Sequence, residues 1–159
     1  MKTTVSRNRE LPVPFLIFVQ MESFTILPHT ADTRLRVTGE TAEQLFRSAL
    51  EGLAHIQKKD FCDQQHGLYF RQDIVQIKSP DITVLLIDFL SEVLTLSHIN
   101  KIVYCEVSFH KFWHTELIAS LKGNKVNYFD EDVKAVTYHE AEVKKNQDNQ
   151  FESLIIFDI

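Results

Sequence analysis

The chain has 159 residues, with 17 Lys+Arg against 22 Asp+Glu for a formal charge of −5, and is 44% hydrophobic and 25% charged. That composition fits one ordinary globular domain and excludes a disordered or fibrous chain, as do the 4 Gly and 4 Pro. The acidic balance argues against a protein whose main work is gripping a phosphate backbone, because such affinity comes from Lys and Arg displacing counterions.

The first twenty residues read as an N-terminal extension, flexible or arising from an upstream start codon, with the domain at 21–159. Lys2, Arg7 and Arg9 precede an apolar stretch from Leu11 to Val19 that is broken by Pro12 and Pro14. This is the outline of a signal peptide, but no small-x-small cleavage site follows and the stretch is too short to span a bilayer. Leaving out these twenty removes three basic residues and one acidic one, taking the formal charge from −5 to −7.

Phe24 and Ile26, then Leu35 and Val37, alternate with polar neighbours and predict two short strands joined by a loop that carries His29 and Asp32. Gly39 ends the second strand. Thr41 and Gln44 form a capping box, and the apolar spacing through Leu45, Phe46, Ala49, Leu50, Leu53 and Ile56 predicts a helix over about 41–57. Leu68 to Ile77 reads as a strand. Ser79-Pro80-Asp81 starts a second helix, with proline in its first turn. Its apolar residues, Ile82 to Leu96, leave only the narrow polar stripe Asp88, Ser91, Glu92 and Thr95, so it should be buried against a sheet on most sides.

From Val103 the period is two, predicting strands at Val103–Lys111, Glu116–Gly123, Asp132–Lys144 and Phe151–Asp158. Gly123-Asn124 and Lys145–Asn149 supply turns. The class is α+β, with two helices packed on one face of a largely antiparallel sheet. Cys62 and Cys105 match no C-x-x-C pattern; the expectation is two free thiols in a reducing, cytoplasmic compartment, with a bridge or a reactive thiol as alternatives.

Candidate chemistry is carried by carboxylates. Asp32 sits in the Pro28–Asp32 loop, where capping a turn is the plainer role. Asp88 and Glu92, four apart on one helix, point the same way; they are either a solvated seam or a site for a metal or a basic partner. The final strand pins Asp158 and the α-carboxylate of Ile159 to the sheet. If Asp32 reaches the same end, three hard oxygen donors converge, a set that favours Ca²⁺ or Mg²⁺ over zinc; otherwise they are an acidic tail. Lys134 and His139 lie on opposite faces of their strand, so Lys134 is the one placed to reach an acidic cluster or a phosphate. The other histidines lack ligand spacing, and no P-loop, dinucleotide fingerprint, G-x-S-x-G elbow or H-E-x-x-H helix is present.

Together these segments resemble the archease family. His29-Thr30-Ala31-Asp32, Gly39-x-Thr41, Asp88-Phe89-Leu90-Ser91-Glu92, Lys134-Ala135-Val136-Thr137-Tyr138-His139 and the ending Ile156-Phe157-Asp158-Ile159 all occur in family order, across about 21–159. The resemblance implies an α+β sandwich and a non-enzymatic role in tRNA splicing. Family members activate the GTP-dependent RNA ligase that joins 2′,3′-cyclic-phosphate or 3′-phosphate ends to 5′-hydroxyl ends, promoting its guanylylation and turnover. It places a divalent metal, usually calcium with magnesium as the alternative, on Asp32, Asp158 and Ile159. His29, Glu92, Lys134 and His139 follow as candidate partner-facing or functional residues. The chain departs from the family at Pro28, where an acidic residue is common, and at Arg34, where a small one is common; a basic side chain that close to Asp32 would pair with it and weaken cation affinity. The expected partner is the ligase itself, with direct nucleic-acid binding secondary and no membrane. The rival readings are a stand-alone metal-dependent phosphoester hydrolase, which lacks an evident nucleophile, and a chaperone-like interaction module.

Overall fold

A computed structural model describes residues 24–27 and 31–159. The extension expected at 1–20, its boundary with the domain, and His29 with Pro28 and Thr30 lie outside the described residues.

Two caps set the long helices. Thr41 opens α1 (Ala42–Gln57) by accepting from the Gln44 N–H at 3.2 Å, and Gln44 Oε1 reaches back to the Glu40 N–H at 2.8 Å. One of the donors that a helix start leaves unpaired is thereby satisfied, and the residue before the cap is tied back to the first turn. Asp81 opens α3 (Ile82–Asn100) by accepting from the Val84 N–H at 2.9 Å, so Pro80 precedes the cap and does not enter the first turn. Between them lies a short helix, α2 (Phe61–Gln64), which the apolar periodicity does not mark.

The strands are β1 (Phe24–Leu27), β2 (Asp32–Gly39), β3 (Arg71–Lys78), β4 (Ile102–Trp113), β5 (Glu116–Lys125), β6 (Ala135–Thr137), β7 (Lys144–Lys145) and β8 (Phe151–Asp158). They divide into two antiparallel sheets. One has the order β1-β2-β8-β6 with β7 also on β8; the other is β3-β5-β4. Helix α1 packs on β1 and β2 of the first sheet and β4 of the second, and α3 on β6 of the first and β3 and β4 of the second. The α+β class holds, with three helices and two sheets among the described residues and the long helices shared between the sheets.

This sharing explains the nearly all-round apolar α3. Leu85, Leu86, Ile87, Phe89 and Leu90 are fully buried, so a helix long and apolar enough to cross a membrane serves here as a core element. Phe46 of α1 and Phe89 of α3 pack with Phe109 and Phe112 of β4, the Phe46–Phe112 rings edge-on at 5.0 Å. Truncating a buried ring of this kind costs about 3–5 kcal/mol.

Three local expectations are corrected. Gly123 and Asn124 lie inside β5, where they pair with Tyr104 and Val103, and do not form a turn. Asn124 accepts from the Phe70 N–H and donates to Gln65 Oε1 and Leu68 O, each at 2.7 Å, tying down the approach to β3. The strand expected over Asp132–Lys144 is interrupted after Thr137, where Glu140 takes a left-handed φ of 58° and the Ala141 N–H bonds back to Tyr138 O. Cys62 and Cys105 are joined in a disulfide with Cα atoms 5.5 Å apart, not free thiols. Alternation in β4 puts Cys105 with Val103 toward a small apolar cluster containing Phe61 and Cys62, and the register shift between Tyr104 and Glu106 returns Val107 to the main core beside Tyr104.

Candidate functional site

In β2 the buried residues are Leu35 and Val37, so strand alternation sends Asp32, Arg34 and Arg36 to the opposite, outer face. Asp32 is the first residue of this strand and not part of a loop, and its cross-strand partner is Asp158 of β8. On the other side of β8, Ala135 pairs with Asp158, and the Lys134 N–H donates to Asp158 O at 2.8 Å. Three strands therefore end in one row, and the backbone at Asp158 is held from both sides.

Two carboxylates placed directly opposite each other on one face repel, an arrangement that destabilises a strand pair unless a cation answers it. One cation is supplied by the chain: Arg34 Nε stands 3.5 Å from Asp32 Oδ1, and the other arm of the guanidinium stands 3.4 Å from Glu140 Oε2. Ile159 follows Asp158 directly. The side chains of Asp32 and Asp158 with a carboxylate at Ile159 would make an all-oxygen anionic donor set, of the kind that suits a hard divalent cation. Among the described residues no three His, Cys, Asp or Glu side chains gather to hold a metal. By donor chemistry the residues fit calcium or magnesium, and Arg34 is a competitor for the same charge.

The remaining candidates separate. The Asp88 carboxylate accepts from Ser79 Oγ at 2.6 Å and from the Tyr138 hydroxyl, so it ties the start of α3 to the turn after β6. That carboxylate holds the Tyr138 phenol above its ordinary pKa. Glu92, one turn further along, is exposed. The Lys134 side chain is also exposed, just before β6. His139 projects into solvent with Nε2 3.6 Å from Glu140 Oε1. Sequence reasoning missed Glu140, 106 residues from Arg34, because no spacing rule connects the two.

The model of the Archease protein family matches residues 24–159. The chain is 28% identical over 151 residues to Protein archease of Methanosarcina barkeri, covering 88% of this chain and 98% of that protein. To Protein archease of Methanosarcina mazei it is 29% identical over 134 residues, covering 79% and 89%. The solution structure of Methanobacterium thermoautotrophicum protein 1598 superposes with a TM-score of 0.69 at 22% identity, covering 87% of this chain and all of that one. The crystal structure of an archease, described as a possible chaperone, from Thermotoga maritima gives 0.58 at 16%, covering 84% and 94%. These likenesses confirm the α+β fold, and the family match spans every described element: the chain belongs to the archease family.

Proposed function

We propose that this protein is a non-catalytic activator of the GTP-dependent tRNA-splicing RNA ligase, promoting its guanylylation and repeated turnover. The observation that carries the reading is the pairing of Asp32 with Asp158 at a fixed row of the sheet, beside Ile159. These residues would hold a divalent cation, calcium before magnesium, which supplies neutralisation and alignment of phosphate oxygens in nucleotidyl transfer.

The work of the chain itself is placement. Pairing of β8 with β2 and β6 fixes the Asp158 backbone, so the acidic row is presented as a rigid edge. An acidic edge on a protein of net charge −5 complements a basic cleft, and such complementarity speeds encounter with the ligase more than it tightens the complex. Lys134, exposed beside the row, is the cationic side chain placed to meet a phosphate or an acidic ligase group. Glu92 and His139, both exposed, are further candidate contacts.

A reconstituted assay tests this: ligase with labelled GTP, with and without this protein. The expected result is a gain in guanylylated ligase and in ligation turnover that falls at least tenfold with Asp32→Ala. Equal guanylylation with and without the protein overturns the reading. The chaperone-like reading is supported by the description of the Thermotoga maritima structure as a possible chaperone. It predicts many co-purifying partners and no dependence on a metal ion, where the ligase reading predicts one dominant partner.

A further inference from the structure

We propose that Arg34 is a built-in counter-cation for the Asp32–Asp158 pair, and that Glu140 is the alternative seat that draws the guanidinium off Asp32, so that Arg34 and Glu140 together set the site's affinity for a metal ion. This rests on the metal reading of that pair given above.

The geometry of Arg34 is that of a shared group. Its contacts to Asp32 Oδ1 at 3.5 Å and Glu140 Oε2 at 3.4 Å both lie at the long limit of hydrogen bonding, and neither has the two short parallel bonds of a settled arginine–carboxylate fork. The Arg34 backbone is fixed in β2 opposite Ile156, so only the side chain is free to change partners. Glu140 is held by contacts beyond the acidic row as well as through β6. It occupies a left-handed position in a turn closed by the Ala141 N–H on Tyr138 O at 3.2 Å, and that turn is moored to α3 through the Tyr138 hydroxyl on Asp88. A non-glycine residue in that backbone region persists only where its surroundings hold it.

The charges then dictate direction. A divalent ion bound at Asp32 and Asp158 repels a guanidinium that stands 3.5 Å from one of its donor atoms, so the ion enters as Arg34 leaves Asp32 for Glu140. Removing the Arg34 charge takes away a repulsion worth about tenfold in affinity at partly exposed, water-screened separations. Removing the Glu140 charge leaves Arg34 with Asp32 as its remaining partner and lowers affinity severalfold. That second effect operates only through Arg34.

Calcium titration by calorimetry on the full chain tests this, with terbium luminescence as a second readout and thermal melts to confirm folding. Arg34→Met, which keeps an apolar stem on the sheet, is expected to bind calcium about tenfold more tightly, and Arg34→Gln similarly. Glu140→Gln is expected to bind more weakly, and to have no effect when added to Arg34→Met. A wild-type protein that binds calcium through Asp158, shown by loss of binding in Asp158→Asn, but with unchanged affinity in both Arg34 variants, overturns this inference and leaves the metal reading standing. Glu140→Gln weakening calcium equally with and without Arg34 also overturns it, because Glu140 then acts by its own charge. Absence of calcium binding in every variant overturns the metal reading and this inference together.

Discussion

The Tyr104 hydroxyl of β4 donates to Asp73 Oδ2 of β3 at 2.5 Å, and it does so across the intervening strand β5 at the level of Gly123, which pairs with Arg71 on one side and Tyr104 on the other. Arg71 completes the group with two 3.0 Å contacts to Asp73, and Asn100 donates to the Tyr104 hydroxyl at 3.2 Å.

Stability should respond to pH at both ends through this pair. Hydrogen bonding to Arg71 first, and then to Tyr104, holds the Asp73 carboxyl below its ordinary value against the opposing effect of burial. The unfolded chain therefore takes up the proton first, and stability contributed here is present above the ordinary value of 3.8 and lost as pH falls below it. Burial, then the bond to Asp73, pushes Tyr104 up to about 12 from 10.0. Its contribution is complete below pH 10 and lost as pH rises toward 12. Melting temperatures across pH should show both slopes, with Asp73→Asn flattening the acid one and Tyr104→Phe the alkaline one.

Gly123→Ala should be among the more damaging single-methyl changes in the protein. A Cβ there would stand 2.1 Å from Val103 O and 2.8 Å from Tyr104 Cα, backbone atoms that yield only if β4 and β5 separate. Overpacking of this kind costs about 3 kcal/mol. A lowered urea midpoint with an unchanged slope is the expected measurement, and a midpoint equal to wild type contradicts the close approach.

Reduction of the Cys62–Cys105 bridge should lower the melting temperature without unfolding the domain at room temperature. The bridge closes a loop of 43 residues, for which chain-entropy arguments give about 4 kcal/mol. The segment from α2 to β3 keeps its hold through Asn124, so loss of protection from hydrogen exchange should concentrate around Phe61–Gln65. A Cys62→Ser/Cys105→Ser protein that melts with the oxidised wild type would remove the bridge from the account of stability.

Lys134 separates side-chain function from backbone structure. Its N–H holds Asp158 O, a bond that alanine keeps and proline abolishes. Lys134→Ala should leave the unfolding free energy within about 0.5 kcal/mol of wild type while reducing ligase activation severalfold, because surface truncations away from special features seldom cost more. Lys134→Pro should lower both stability and activation. Full activation by a folded Lys134→Ala protein would assign the side chain no part in contacting the ligase.

The elements legible from sequence were those whose information is local. Thr41 with Gln44, and the spacing from Leu45 to Ile56, located α1 almost to the residue, and the alternation of Phe151–Asp158 located β8. What local patterns did not carry was partnership. Gly123-Asn124 is turn chemistry by composition, yet in the fold Gly123 serves close strand approach and Asn124 anchors a neighbouring segment. Cys62 and Cys105 become neighbours through α2, which no apolar periodicity marks, and through the face that β4 turns away from the main core. Asp158 was legible as the end of the last strand, but Asp32 read as a loop residue, and that it stands opposite Asp158 depends on the pairing of β2 with β8, which local patterns leave open. The placement of Glu140 beside Arg34 depends on a left-handed turn that interrupts an apparently continuous strand.

The position of β8 has a consequence for the birth of the protein. This strand lies between β2 on one side and β6 and β7 on the other, yet its residues follow every other element in chain order. While a ribosome is still translating the domain, β2 has β1 beside it and lacks its second neighbour until residues 151–158 emerge. Closure of the first sheet therefore waits for residues 151–158, and the nascent chain carries the exposed edge of β2 until they are available. Such distant strand closure is a slow step and an opening for misassembly, and a chain truncated before Phe151 should be captured by chaperones or degraded instead of accumulating as a partial domain.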